Sequence, residues 1–205
     1  MELVGVTKAT PDYRMEEAQN RGIRVFSVNG ARQFEDAGYS VEGSLNGMLQ
    51  GCDAVVDCAP KGHGAANLAL YMAYPELRVV FQGGEKHGLT GFSFNSDCNY
   101  AQAYGRKLLR VVSCNTTALC RVISTLNTSY RIKKVRACLA RRSADQSESD
   151  SSIINSWAPD PSFPSHHSED VKTVIPGISI ATLAGIAPMT LQDDAATGRP
   201  QKVEF

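Results

Sequence analysis

The chain has 205 residues, enough for one full domain or two small ones, and its 42% apolar and 20% charged content is ordinary for a soluble globular protein. Lys+Arg and Asp+Glu both number 21, so the net charge is zero, which argues against a nucleic-acid footprint or a polybasic membrane patch. No apolar run approaches the ~18 residues of a membrane span, and the start "MELVGVTKATPDYR" lacks an export pattern. Six cysteines without such a signal then fit reduced thiols in a cytoplasmic setting.

Taken in chain order, "ELVGV" (2–6) reads as a buried strand and "YRMEEAQNRG" as a helix stopping at Gly22. "IRVFSV" is a strand ending at the turn pair Asn29-Gly30. "SLNGMLQG" opens with a serine suited to cap a short helix. "DAVVDCAP", "LRVVFQGG" and "LLRVVSC" read as strands, and "GAANLALYMAY" and "CNYAQAYGR" as helices between them. "NTTALCRVISTLNTSY" is a helix whose Leu119, Val122, Ile123 and Leu126 recur at helical spacing. Short apolar strands alternating with helices predict an α/β fold built on a mostly parallel sheet.

Beyond residue 130 the texture changes. "YRIKKVRACLARR" reads as a strand, and the Ser-rich, Pro-punctuated stretch after it as a long excursion with a short helix near "SSIINSW". "VKTVIP" and "ISIATLAGIAPMTL" read as two more strands, and the tail "QDDAATGRPQKVEF" as frayed.

Ligands of parallel sheets bind beyond the carboxyl ends of the strands, where Cys58, Gly83-Gly84 and Cys114 all fall. In "VVSCNTTALCR", Cys114 sits at the seam between strand and helix. A thiol at a helix start feels the positive end of the macrodipole, and first-turn amides can hold an oxyanion. These features point to covalent catalysis on a carbonyl compound, against the plainer reading of a cysteine that merely ends a strand. Cys120 reads as packing, and no cysteine or histidine spacing predicts a metal site. "FQGGEKH" offers close backbone approach beside Lys86 and His87, or a plain turn. "APKGHGAAN" is an imperfect glycine fingerprint with Asn67 at the third glycine position. "ARRSAD" and "PSHHSED" contribute paired arginines and histidines, suited to a phosphorylated carbonyl substrate or simply solvated.

The segments "VGVTKATPD", "FQGGEKH", "NYAQAYGR", "SCNTTALCR", "IKKVRACLARRSAD" and "PSHHSEDVKTV" resemble archaeal-type phosphorylating glyceraldehyde-3-phosphate dehydrogenase, from residue 1 to about 191. The resemblance implies an incomplete Rossmann-like NAD(P)-binding domain over 1–113 and part of an α+β catalytic domain over 114–205. It implies oxidation of glyceraldehyde 3-phosphate, a glycolytic reaction, with NADP or NAD and inorganic phosphate, giving 1,3-bisphosphoglycerate. It also implies a cytoplasmic homotetramer with no nucleic-acid or membrane partner. Carried over residue by residue, the nucleophile is Cys114. Ser113, Asn115, Thr116, Arg141, His166 and His167 would face substrate and phosphate. Thr7, Lys8, Gly84 and Arg142 would meet the cofactor, Lys8 favouring NADP.

Three departures from the family pattern carry a second expectation. The sequence opens at what resembles the family's second strand, without the glycine-rich turn that holds the cofactor pyrophosphate. Gln192 and Asp193 come after "PMTL" where the family has a histidine base, and Ser143 replaces a glycine. The tail does not resemble the family's continuation past that point. On these grounds the chain reads alternatively as a truncated, catalytically impaired remnant or a nucleotide-binding module. A third reading, a thiol dehydrogenase of a non-phosphorylated semialdehyde, is opposed by the arginine and histidine pairs.

Overall fold

The computed structural model describes residues 1–60, 62–142, 158–187 and 202–204. The first part alternates β1 (Val6–Lys8), α1 (Tyr13–Asn20), β2 (Val25–Ser27), α2 (Arg32–Asp36), β3 (Gly43–Ser44), α3 (Leu45–Leu49), β4 (Ala54–Asp57), α4 (His63–Met72) and β5 (Arg78–Phe81). It continues through a 3-10 turn (His87–Leu89), β6 (Ser93–Phe94), α5 (Ser96–Ala103), β7 (Leu108–Val111) and α6 (Cys114–Ser129). Every strand pair here is parallel, in two sheets of order β1-β2-β3 and β4-β5-β7-β6. Parallel pairing puts the ends of β4, β5 and β7 on one edge, so Cys58, Gly84 and Cys114 come after adjacent strands, as the sequence predicts.

Local chemistry explains the boundaries. Asp12 caps α1 by accepting from the Arg14 N–H, and Ser44 caps α3 by accepting from Gly47 N–H at 3.2 Å. The first strand is shifted from its expected place: pairing runs over Val6–Lys8, not residues 2–6. Its partner β2 starts only at Val25, and Val6 N–H already bonds the Arg24 carbonyl, so the chain before Val6 has no ladder to join. Phe26, Met48, Leu49, Tyr71, Leu77, Val79 and Phe81 form one buried cluster, drawing on elements of both sheets.

The second part holds β8 (Lys134–Arg142), β9 (Ala158–Pro159), α7 (His166–Val174), β10 (Ser179–Ala187) and β11 (Lys202–Glu204), with sheet order β11-β8-β10-β9. β8 and β10 are parallel along their whole nine residues, while β9 and β11 run antiparallel to them. α6 and α7 pack onto this sheet through Leu119, Cys120, Ile123, Leu139, Val171, Val174 and Ile180.

Two expectations need correction. "VKTVIP" is not a strand: Val171 to Val174 complete α7, because both valines turn inward one helical turn apart. The tail does not simply fray, since Lys202–Glu204 pairs with Glu204 opposite Cys138. The expected helix around "SSIINSW" lies outside the described residues, as do Ser143, Gln192 and Asp193.

Candidate active site

β7 ends at Val111, and the backbone turns at Ser113 into α6. Ser113 is the cap: its Oγ accepts from the Thr116 N–H at 3.3 Å. That makes Cys114 the first residue of the helix, exposed at the carboxyl edge of the sheet. First-turn amides have no intrahelical acceptor, so the thiol stands where a helix start is most electropositive. The helix holds this position because Leu119, Cys120 and Ile123 are buried against the sheet that contains β8 and β10. Leu126, expected on the same stripe, is exposed. Cys120 packs as expected, and burial pushes its thiol up to about 12.

Behind Cys114 lies a buried polar contact. Thr116 Oγ1 and His167 Nδ1 are 2.9 Å apart, and Ser113 Oγ lies 3.0 Å from Thr116 Oγ1 and 3.4 Å from the same ring nitrogen. Thr116, expected to face substrate, has no exposed surface at all. Its hydroxyl instead joins the helix start to the imidazole, supporting the site from within. Asn115 is likewise buried, while Ser113 and His166 are exposed. The His166 and His167 rings lie 4.0 Å apart between centroids.

α7 is fixed to β10 by three buried hydroxyls. Ser165 Oγ and Ser168 Oγ lie 2.7 and 2.8 Å from Thr182 Oγ1, and Ser168 Oγ accepts from the Thr182 N–H at 2.9 Å. Buried polar groups are costly unless paired, so this cluster sets α7 in one seat. Nothing in the sequence marks it, since the partners are separated by a turn, a helix and a strand.

The glycine segments behave differently from each other. A Cβ on Gly83 would sit 1.9 Å from the Ala59 carbonyl oxygen, so only glycine lets the turns after β4 and β5 meet. Gly84 is exposed with φ of 88°, in the left-handed region. Glu85 turns inward, and its Oε1 accepts from Gly62 and Gly64 N–H, each at 3.0 Å. The amides at the start of α4 are therefore already matched to a carboxylate. The described part of the "APKGHGAAN" turn is thus tied to the turn after β5 through Glu85. His87 Nδ1 lies 2.9 Å from Ser93 Oγ. It lines a cavity of about 480 Å³ shared with Asn99, Ile123, Asn127 and Thr173, at the far half of α6 from Cys114.

At the other candidate positions, Thr7 and Lys8 end β1, with Lys8 Nζ bonded to Asp12 Oδ2 at 2.5 Å. Arg141 and Arg142 end β8 opposite Ile186 and Ala187, and their side chains lie outside the described residues. Ser113, Cys114, Asn115, Thr116, His166 and His167 are thus drawn to one place by α6 and α7, and the β8 arginines belong to the sheet on which those helices pack. Among the described residues no group of three or more His, Cys, Asp or Glu converges as a metal site, and no helix is long and apolar enough to cross a membrane.

The glyceraldehyde 3-phosphate dehydrogenase C-terminal domain pattern matches residues 113–193. Glyceraldehyde-3-phosphate dehydrogenase of Saccharolobus solfataricus is 46% identical over 193 residues, covering 93% of this chain and 56% of that protein. The enzyme of Sulfurisphaera tokodaii gives the same figures, 46% over 193 residues with 93% and 56% covered. The chain thus spans about half the length of the relatives it matches. Among solved structures, aspartate semialdehyde dehydrogenase II of Vibrio cholerae superposes with a TM-score of 0.59 at 10% identity, over 89% of this chain and 70% of that one. Its complex with ASA gives a TM-score of 0.56 at 12% identity, covering 91% and 67%. At such identity these likenesses speak for the fold alone: mixed α/β with parallel sheets, as the sequence predicts. In sequence, the chain is thus similar to glyceraldehyde-3-phosphate dehydrogenases over most of its own length, and residues 113–193 match the C-terminal domain of that family.

Proposed function

We propose that this chain carries the thiol chemistry of an NAD(P)-dependent phosphorylating dehydrogenase acting on glyceraldehyde 3-phosphate. The observation that supports this most is Cys114 at the first position of α6, backed by the contact between Thr116 and His167. Residues 1–113 would form part of the cofactor domain and 114–205 part of the catalytic domain; the domain match beginning at Ser113 supports that division. The reaction would belong to glycolysis and the working form would be a cytoplasmic homotetramer, as the family resemblance of the sequence implies.

The Cys114 thiolate attacks the aldehyde carbon, forming a C–S bond, and the carbonyl oxygen takes up negative charge beside the first turn of α6. NADP or NAD, held by Thr7, Lys8, Gly84 and Arg142, would supply the hydride acceptor that this carbon needs to become the acyl carbon of a Cys114 thioester. An oxygen of inorganic phosphate then bonds to the acyl carbon of the Cys114 thioester, the C–S bond breaks and the thiolate returns. The product is 1,3-bisphosphoglycerate. His166, Arg141, Ser113 and Asn115 would hold phosphoryl and substrate oxygens, with Thr116 and His167 fixing their frame.

The residues at the strand ends would meet the cofactor. Exposed Gly84, beside the strand that leads to Cys114, allows a flat ring close to the backbone. Lys8 offers an ammonium that already holds one anion, Asp12, and suits the extra phosphate of NADP. Thr7 and Arg142 would complete that side. The test is aldehyde- and phosphate-dependent reduction of NADP by the purified chain and by Cys114→Ser. Loss of the signal in the variant is expected; an unchanged signal would overturn the reading.

A further inference from the structure

Three of the candidate functional segments meet at one buried guanidinium. Arg110 lies on β7 and is 4% exposed. Its Nη1 donates to the Glu85 carbonyl at 2.7 Å, and its Nη2 to Asp170 Oδ1 at 2.5 Å. Its backbone N–H bonds the Phe92 carbonyl, and its Nε has no partner among the described residues.

Each partner stands next to a functional residue. Glu85 comes directly after Gly84. β7 itself runs into Ser113 and Cys114. Asp170 lies one helical turn beyond His167 on α7, so the two project from neighbouring positions on that helix. The hydroxyl cluster around Thr182 pins the start of α7 to β10. The bond that Arg110 donates to Asp170 adds an anchor further along the helix, toward β7, beside the packing of Val171 and Val174. A buried ion pair adds little net stability against apolar packing, but it does select one arrangement. The planar fork of arginine holds two partners in fixed directions, which a lysine ammonium does not.

We propose that Arg110 is a positioning residue, seating His167 against Thr116 through Asp170 and setting the Gly83-Gly84 turn beside Cys114 through the Glu85 carbonyl. This rests on the reading of Cys114 and His167 as parts of one active site.

The test compares Arg110→Lys and Asp170→Asn with the parent chain. The imidazole nitrogen resonances of all four histidines are monitored by NMR, together with kcat and KM for aldehyde oxidation. Both variants should unfold cooperatively while shifting the His167 resonances. A displaced site of this kind should lower kcat by about 10²-fold with a smaller change in KM. Asp170→Asn, which keeps size and one acceptor oxygen, carries the test if Arg110→Lys does not fold. Unmoved His167 resonances in the folded variants would overturn the proposal, as would full activity in Arg110→Lys. If the parent chain oxidises no aldehyde, the functional reading fails, while the histidine resonances still decide the positioning role.

Discussion

Thr116 Oγ1 and His167 Nδ1 lie 2.9 Å apart in the interior, joining α6 to α7 directly behind the exposed thiol of Cys114. Both groups are shielded from water, so neither can replace a lost partner with solvent. Thr116→Val keeps the shape and removes the hydroxyl. It should destabilise the chain by about 1–3 kcal/mol, read from urea unfolding at constant m-value. It should also lower kcat more than Thr117→Val, because the Thr117 hydroxyl merely bonds the Val112 carbonyl, at 3.3 Å.

The cysteines separate by environment. Cys58, Cys114 and Cys138 are exposed, whereas Cys120 is fully buried with its thiol pushed up to about 12 by burial. Brief treatment with iodoacetamide at neutral pH, mapped by mass spectrometry, should label Cys114 and leave Cys120 unmodified until the chain is unfolded. Labelling of Cys120 at the rate of Cys114 in the folded chain would contradict the packing of α6.

How much of the structure is legible in the sequence depends on the range of the interaction. The body of α6 is written locally, with Leu119 and Ile123 at helical spacing, whereas "LLRVVSC" reads as strand through Ser113 and Cys114, which instead cap and open the helix. The alternation of strands with helices is written the same way, and it carries the parallel sheets. The end of α7 is deceptive because "VKTV" is rich in β-branched residues and favours a strand locally. Packing of Val171 and Val174 against β10 and α6 decides otherwise. Arg110 reaches a carboxylate 60 residues away, and Thr116 an imidazole 51 residues away. No local pattern encodes such pairs, although a lone arginine inside the apolar run "LLRVV" is a visible irregularity.

Tyr71 and Asp57 offer a stability test far from Cys114 in sequence. Tyr71 donates to Asp57 Oδ2 at 2.9 Å, and Asn67 Nδ2 donates to the same oxygen at 3.0 Å. Burial first, and then this bond to Asp57, raise the Tyr71 hydroxyl above the ordinary phenol range. The hydroxyl therefore stays a donor through alkaline pH. Tyr71→Phe removes one of the donors to a buried carboxylate and should cost about 1.5–3 kcal/mol, the range for hydrogen bonds to charged groups. Asn67→Ala should act in the same direction, and the pair should be non-additive in a double-mutant cycle.

Asp12 links the cap of α1 to Lys8, and its acid behaviour has a defined sign. The hydrogen bond from Lys8 holds the Asp12 carboxyl below its ordinary value of 3.8. Its native pKa therefore lies below its unfolded one. The stability it contributes is present above the unfolded value, near ~4, and is lost as pH falls through the lower native value. Asp12→Asn keeps a good helix cap but has no charge to lose. Between neutral pH and about pH 5 its stability should run parallel to that of the parent chain. Below about pH 4 its curve should fall less steeply, as measured by acid titration of helical circular dichroism. The same substitution releases the Lys8 ammonium from its intramolecular partner. If Lys8 meets the extra phosphate of NADP, Asp12→Asn should tighten NADP relative to NAD and Lys8→Ala should abolish the preference, both read by calorimetric titration. Equal ratios in all three proteins would remove Lys8 from the cofactor site while leaving the acid behaviour of Asp12 as it stands.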